Sequence, residues 1–298
     1  MFHTPRRRRT SFATLTSLLA LLGAAALGGC ATRDEPDPAA QDKRPERIVS
    51  LSPSATETLF AVGAGQQVVA VDSASTFPEQ APRTTLSGLT PDPEAIASHK
   101  PDLVIVSSDV TNLTAALEKT GTKTLVLPDA KTLDAAYAQF ARLGEVTGHK
   151  AEGEDLARRT KADIDKLVAD TPKPAKPLSY YHELDQTYYS VTSATFLGSL
   201  YQRFGLTNIA DGADPTASGG YPQLSAEKII QADPALIFLA DTKCCGQNAQ
   251  TVAARPGWNT LTAVKSSHVF PLDDDIASRW SPRITDLARA ISAAVATP

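Results

Sequence analysis

The residues best placed for chemistry lie near the C-terminus, in Asp273-Asp274-Asp275-Ile276-Ala277-Ser278-Arg279-Trp280-Ser281-Pro282-Arg283. They follow a strand-like Val269-Phe270-Pro271-Leu272 and precede the last helical stretch, where α/β sheets carry their ligand loops. Charged groups in such a loop form a hydrogen-bonding rim that orients a large ligand on an otherwise apolar cleft. Asp275 and Arg279, four residues apart, are also suited to pairing with each other on a surface turn. Trp280 fits either a stacking wall or the core. A second group is aromatic: Tyr180-Tyr181-His182-Glu183 and Tyr188-Tyr189 hold four of the seven tyrosines. Aromatic faces with polar tips suit a flat, partly polar ligand, although alternate residues of a strand point inward, which assigns half of these to the core. Third come Cys244 and Cys245. Adjacent cysteines in an oxidising compartment form a vicinal disulfide or stay two thiols in a tight turn. Their Cα atoms, about 3.8 Å apart across a trans peptide, fall short of the usual disulfide range.

Other chemistries lack their parts. An exported hydrolase, the rival from another class, needs a nucleophile–base pair or a metal cluster. No Gly-x-Ser-x-Gly and no His-Glu-x-x-His occurs, and His3, His99, His149, His182 and His268 are dispersed. The chain is therefore not expected to be an enzyme. The same dispersion argues against a carrier of bare zinc or manganese, and no intrinsic cofactor or metal is expected. A heme carrier needs an axial Tyr or His, which the Tyr180 to Tyr189 cluster could supply. A net charge of −4 without a basic stripe excludes a nucleic-acid partner. With 42% hydrophobic and 21% charged residues, the composition is that of an ordinary globular protein.

These side chains need a scaffold, and an internal repeat describes it. Pro93-Glu94-Ala95-Ile96 leads through His99-Lys100 to Pro101-Asp102-Leu103-Val104-Ile105; Ala226-Glu227-Lys228-Ile229 leads through Ala232-Asp233 to Pro234-Ala235-Leu236-Ile237-Phe238. From each Glu, Ile stands at +2, Pro at +7 and Leu at +9. Each copy reads as a short helix and then a wholly apolar strand, buried on both faces as in a helix-covered parallel sheet. Asp92 and Ser225 are natural N-caps, and a glutamate in the first turn complements the helix dipole. Further strands are expected at 47–51, 68–71, 124–127, 179–181 and 269–272, with helices at 56–61 and 196–204. Residues 150–169 contain no Pro and place Leu156, Ile164, Leu167 and Val168 on one helical face, until Thr171-Pro172-Lys173-Pro174 stops the helix. The expected fold is α/β: two similar α/β lobes with central mostly parallel sheets, joined by a single long helix. The lobes span 46–147 and 172–298, with the inter-lobe helix at 148–171. A helical link restricts hinge motion to a modest closure.

The N-terminus sets the compartment. Arg6 to Arg9 precede an apolar run from Leu15 to Leu27, too short to span a bilayer, and then Leu27-Gly28-Gly29-Cys30. This resembles a bacterial lipoprotein signal over 1–29, which implies lipidation of Cys30 and a membrane anchor. Sec and twin-arginine export both remain open. Residues 30–45 are polar and Pro-containing, a tether from membrane to domain. The expected place is outside the cell membrane, anchored by lipid on its outer face.

Arg47-Ile48-Val49-Ser50-Leu51-Ser52-Pro53-Ser54-Ala55-Thr56-Glu57 resembles the opening of binding proteins of the iron-complex and vitamin B12 importer class. So do Pro101-Asp102-Leu103-Val104-Ile105, Tyr221-Pro222-Gln223-Leu224-Ser225-Ala226-Glu227 and Ser281-Pro282-Arg283-Ile284, in order, from about Arg47 to the C-terminus. The resemblance implies a monomer whose two lobes enclose a bulky cobalt or iron chelate and pass it to an ABC permease and its ATPase. It implies docking through one exposed glutamate per lobe, at Glu94 and Glu227. It implies ligand contacts at Asp275 and Arg279, with Tyr221 as an aromatic wall. Three further aromatic walls of the class's vitamin B12 branch are replaced by small residues near Ala74, Gly88 and Ser107; Ser107 is carried as a lining residue, as is Trp280. Cobalamin is favoured as ligand by the Ser-Pro-Arg-Ile block and the Asp/Arg loop, with ferric siderophore or heme as alternatives.

Overall fold

A computed structural model describes the protein over residues 44–212 and 218–297. The chain divides into two units, Met1–Lys43 and Arg44–Pro298, and the fold below belongs to the second. The signal segment, Cys30 and nearly all of the tether lie outside the described residues.

The first half runs β1 (Ile48–Ser50), α1 (Pro53–Ala61), β2 (Val68–Val71), α2 (Pro93–Ser98), β3 (Leu103–Val106), α3 (Leu113–Glu118), β4 (Lys123–Val126) and α4 (Leu133–Thr147). After α5 (Lys150–Asp170) come β5 (Ser179–Glu183), α6 (Phe196–Arg203), β6 (Thr207–Asn208), α7 (Ala226–Ala232) and β7 (Leu236–Leu239). The chain continues through α8 (Thr242–Cys245), α9 (Ala249–Ala253), α10 (Thr262–Lys265), β8 (Val269–Pro271) and α11 (Ile284–Ala296). Two separate parallel sheets result, ordered β2-β1-β3-β4 and β6-β5-β7-β8. The order is the same in both: the first strand of each half is central, with the second on its outer side and the third inside. The short β6 and the α3 and α4 helices are additions to the elements read from sequence.

The repeat identified in the sequence builds equivalent parts of the two lobes. Asp92 Oδ1 accepts the Glu94 N–H at 2.9 Å, and Ser225 Oγ accepts the Lys228 N–H at 3.2 Å. Ile96 and Ile229 are fully buried behind these caps, each contributing roughly 1.5–3 kcal/mol of transfer free energy. Leu103 and Leu236 then open β3 and β7. Both sheets are covered on both faces. Ile48, Ile105, Tyr180 and Phe238 join one core that α1, α4, α5, α6 and α11 close. Val49, Val104 and Val106 pack on the opposite face of the first sheet, and Tyr181, Ile237 and Leu239 on that of the second.

Helix α5 connects the two lobes. It returns alongside α4 after Gly148, whose φ of 80° gives the left-handed turn that ends α4. Close approach of the two helices requires Gly144 and Gly153: a Cβ on Gly153 would stand 2.8 Å from the Phe140 carbonyl and 2.9 Å from Gly144 Cα. Farther along, Asp165 accepts from Arg203 of α6 at 2.6 Å, and Thr171, just past the helix, meets Ser292 of α11 at 2.7 Å. The helix thus has one end in each lobe. Among the described residues, no helix is long and apolar enough to cross a membrane.

Candidate functional site

The carboxyl edges of the two sheets face each other. Arg279, in the loop between β8 and α11, donates from Nη1 to Glu57 Oε1 of α1 at 2.9 Å and from Nη2 to the Ala74 carbonyl, beyond β2, at 2.9 Å. Thr76 Oγ1 donates to Asp275 Oδ2 at 3.2 Å. Arg283 reaches the same Glu57, through Nε to Oε2 at 2.8 Å and through Nη2 to Oε1. Trp280 Nε1 donates to Gln139 Oε1 of α4 at 3.0 Å. Loops that leave strands of different lobes therefore meet along one seam, the position at which open α/β sheets bind ligands.

Local sequence builds this seam. Ser52 caps α1, its Oγ accepting the Ala55 N–H at 3.4 Å, which sets the first turn and buries Glu57 at 3% exposure. Thr56 Oγ1 donates to Ser50 Oγ at 2.9 Å and lies 3.0 Å from Ser75 Oγ, which in turn donates to Asp72 Oδ1 at 2.5 Å. Burial pushes the Asp72 carboxyl up, against the lowering by Ser75 and by the Arg279 charge. Asp275 and Arg279 do pair with each other, at 2.6 Å, and Arg279 is 7% exposed. The surface-turn reading of that pair underestimates it: besides its short-range partner, Arg279 has a long-range one on the other lobe. The Arg283 guanidinium also lies 4.2 Å above the Phe77 ring centre, a cation–π arrangement.

Apolar surface is exposed along the same edges. Tyr189 and Tyr221 are each 41% exposed and Phe77 is 44% exposed. Tyr189 pairs with Gln223 in an antiparallel bridge, and the Ser190 N–H reaches the Pro222 carbonyl at 2.9 Å, so both tyrosines stand on adjoining segments. Burial, and then the Asp129 carboxylate carried by the loop after β4, push the Tyr221 phenol up. The Asp129 charge of one lobe is thus felt by Tyr221 of the other. Ser107 sits half-buried just beyond β3, at the same sheet edge. Trp280 is half-buried, with its indole packed against the main core. By contrast, a groove of about 370 Å³ lined by residues from Val168 to Gly205 opens at the amino end of β5 and β6, away from the seam.

Tyr180 and Tyr181 contribute no exposed surface to the seam. Alternation along β5 was expected to turn one of them to the cleft; both are fully buried, because the sheet is covered on both faces. Tyr180 stacks on Tyr201 at 4.2 Å between ring centres, and Tyr188 stacks on Trp258 at 5.6 Å. Behind them, Glu183 accepts both ends of the Arg255 guanidinium at 2.6 Å. Burial, and next the neighbouring Glu183 charge, push the Asp241 carboxyl up to about 7. Burial holds His182 down at about 3, with Nδ1 2.8 Å from Tyr201 Oη.

Cys244 and Cys245 form a disulfide within α8. Asp274 holds that helix, accepting the backbone N–H groups of Thr242, Lys243 and Cys244 at 2.8, 2.9 and 2.9 Å. Lys243 Nζ pairs with Asp273 at 2.7 Å and Asp275 at 3.4 Å. The disulfide helix is thus tied to the loop that crosses the seam. Glu94 and Glu227 are exposed in the first turns of α2 and α7; the Glu227 carboxyl is lowered by its backbone N–H and by Ser225. Sequence reasoning had not selected Glu57, Phe77 or Asp129 as site residues. Glu57 stands in the opening block carrying the resemblance, which was the available signal. Nothing local marks the other two. Among the described residues, no cluster of three or more His, Cys, Asp or Glu could hold a metal ion.

Comparison with known proteins agrees with this geometry. Residues 48–276 match the family model described as periplasmic binding protein. The chain is 29% identical over 253 residues to an ABC transporter substrate-binding lipoprotein of Bacillus subtilis, covering 82% of this chain and 78% of the relative. It is 31% identical over 264 residues to a cobalamin-binding protein of Halobacterium salinarum, covering 85% and 70%. The solved periplasmic heme-binding protein of Vibrio cholerae superposes with a TM-score of 0.73 at 22% identity, over 83% of this chain and 97% of that one, a likeness of fold. With the family model matched over residues 48–276 and a fold of two parallel-sheet α/β lobes, the chain belongs to the periplasmic binding protein family.

Proposed function

We propose that this chain is the lipid-anchored, extracytoplasmic capture component of an ABC importer, and that it takes up a bulky metal chelate, a corrinoid first, between its lobes. The observation that supports this reading most is the seam itself. Tyr221 and Tyr189 from one lobe and Phe77 from the other expose aromatic surface on sheet edges that also carry Asp129, Asp275 and Ser107. A large, flat, partly polar molecule needs that mixture of apolar wall and polar rim. The relative of known ligand at 31% identity is a cobalamin-binding protein, which favours the corrinoid over a siderophore or heme. Relatives named as binding proteins speak for carriage and against hydrolysis. Cys30 would be the lipid attachment point, and Glu94 and Glu227 the contacts with the permease, one per lobe at equivalent first turns. Exposed charges at matched positions steer encounter and fix register.

Titration of the mature protein with cyanocobalamin, a ferric hydroxamate and hemin, followed by tryptophan fluorescence, tests the ligand. Trp280, half-buried at the seam, is the reporter. The expected result is a Kd below about 10 μM, or about −7 kcal/mol, for cyanocobalamin. Saturation by none of the three at that concentration would remove the chelate reading.

A further inference from the structure

The strongest anion receptors of the seam are already closed by the protein's own carboxylates. A guanidinium offers five N–H donors in a flat fork that matches a carboxylate or phosphate. Arg279 directs Nη1 to Glu57 and Nη2 to Asp275 and the Ala74 carbonyl. Arg283 directs Nε and Nη2 to Glu57 and lays its face on Phe77. Lys243, beside them, is paired with Asp273 and Asp275. Across the seam, the charge felt by Tyr221 is that of the Asp129 carboxylate. An anionic ligand taking over the guanidinium donors now bound to Glu57 or Asp275 would have to displace those carboxylates. Displacing Glu57, which is 3% exposed, would leave a buried carboxylate without its cations, and breaking such a pair is strongly unfavourable.

We infer that the cleft selects by charge: it accepts a chelate that presents a neutral or cationic face to the seam and discriminates against one that presents carboxylates. Glu57 and Asp275 stand where the anionic groups of such a ligand would otherwise sit. The inference rests on the chelate-binding reading above and narrows it to a ligand class.

Three probes separate the cases: cyanocobalamin, which has no net charge; ferrioxamine B, a ferric hydroxamate with one ammonium; and hemin, with two propionates. Calorimetric titration of the wild-type protein is expected to show hemin binding more than tenfold more weakly than the better of the other two. Asp275→Asn removes one carboxylate from Arg279 while leaving Glu57 and its two arginines in place. It is expected to strengthen hemin binding about tenfold without strengthening cyanocobalamin. Asp275 is only half-buried, so this variant keeps the fold where Glu57→Gln could lose it. Hemin within tenfold of the best probe, or an Asp275→Asn protein with unchanged hemin affinity, would overturn the charge inference while leaving the carrier reading intact. Failure of all three probes to bind would overturn the chelate reading and the inference with it.

Discussion

Two buried titratable groups at the carboxyl edge of the second sheet act in opposite directions on stability. The raised Asp241, near 7 when folded and near 3.9 in an unfolded chain, favours folding at low pH and loses that contribution as pH rises toward 7. The lowered His182, near 3 when folded and near 6.5 unfolded, favours folding at high pH and loses its contribution as pH falls below 6.5. Between pH 5 and 7 the two slopes oppose, each at most about 1.4 kcal/mol per pH unit. Asp241→Asn removes one of them, so its melting temperature is expected to climb from pH 5 to pH 7 more steeply than that of the wild type. Equal pH profiles of the two proteins in scanning calorimetry would contradict the assignment. None of this was readable in Asp241 or His182 alone. Their environment depends on Glu183, Arg255 and Tyr201, brought in by chain reversals that residue patterns do not encode. The same holds for Glu57, whose partners lie 222 and 226 residues away.

At the scale of elements, periodicity was informative where one pattern decided one element. The doubled Glu–Ile–Pro–Leu spacing gave α2–β3 and α7–β7, and the uninterrupted amphipathic run gave α5 within about a residue at each end. It failed for β5, because alternation separates inside from outside only when one sheet face is wet, and here both are covered. The adjacent cysteines left disulfide and free thiols open in sequence; the fold pairs them in α8. The contact of α4 with α5 was also hidden, since a glycine pair in two helices signals close approach only once the helices are side by side. Gly153→Ala would drive a Cβ against the Phe140 carbonyl and Gly144. A loss of about 1–3 kcal/mol is expected in urea unfolding, the range for overpacking of a tight site. An unchanged midpoint would show that the two helices do not approach this closely.

For the whole molecule, sheets of identical strand order joined by a helix with an end in each lobe allow only limited hinge motion. In the proposed function docking and capture would use different surfaces, first-turn glutamates for one and the seam for the other. Combining Glu94→Ala with Glu227→Ala is expected to abolish uptake in cells carrying the cognate importer while ligand affinity stays within about twofold. A parallel loss of affinity would refute the docking role, since these side chains are exposed in helical first turns and hold no seam residue. The general architecture was legible in sequence because the repeat and the long helix are local patterns; the charge cluster that joins the lobes was not, because it is assembled from α1 and the loop before α11. The claim on which the rest depends is that ligand lies between the lobes against exposed aromatic walls. Isothermal titration of wild type and Tyr221→Ala with cyanocobalamin tests it most directly. The expected result is one ligand per protein and at least a tenfold weaker Kd for the variant, about 1.4 kcal/mol. Equal affinity of the two proteins would contradict ligand capture at this seam.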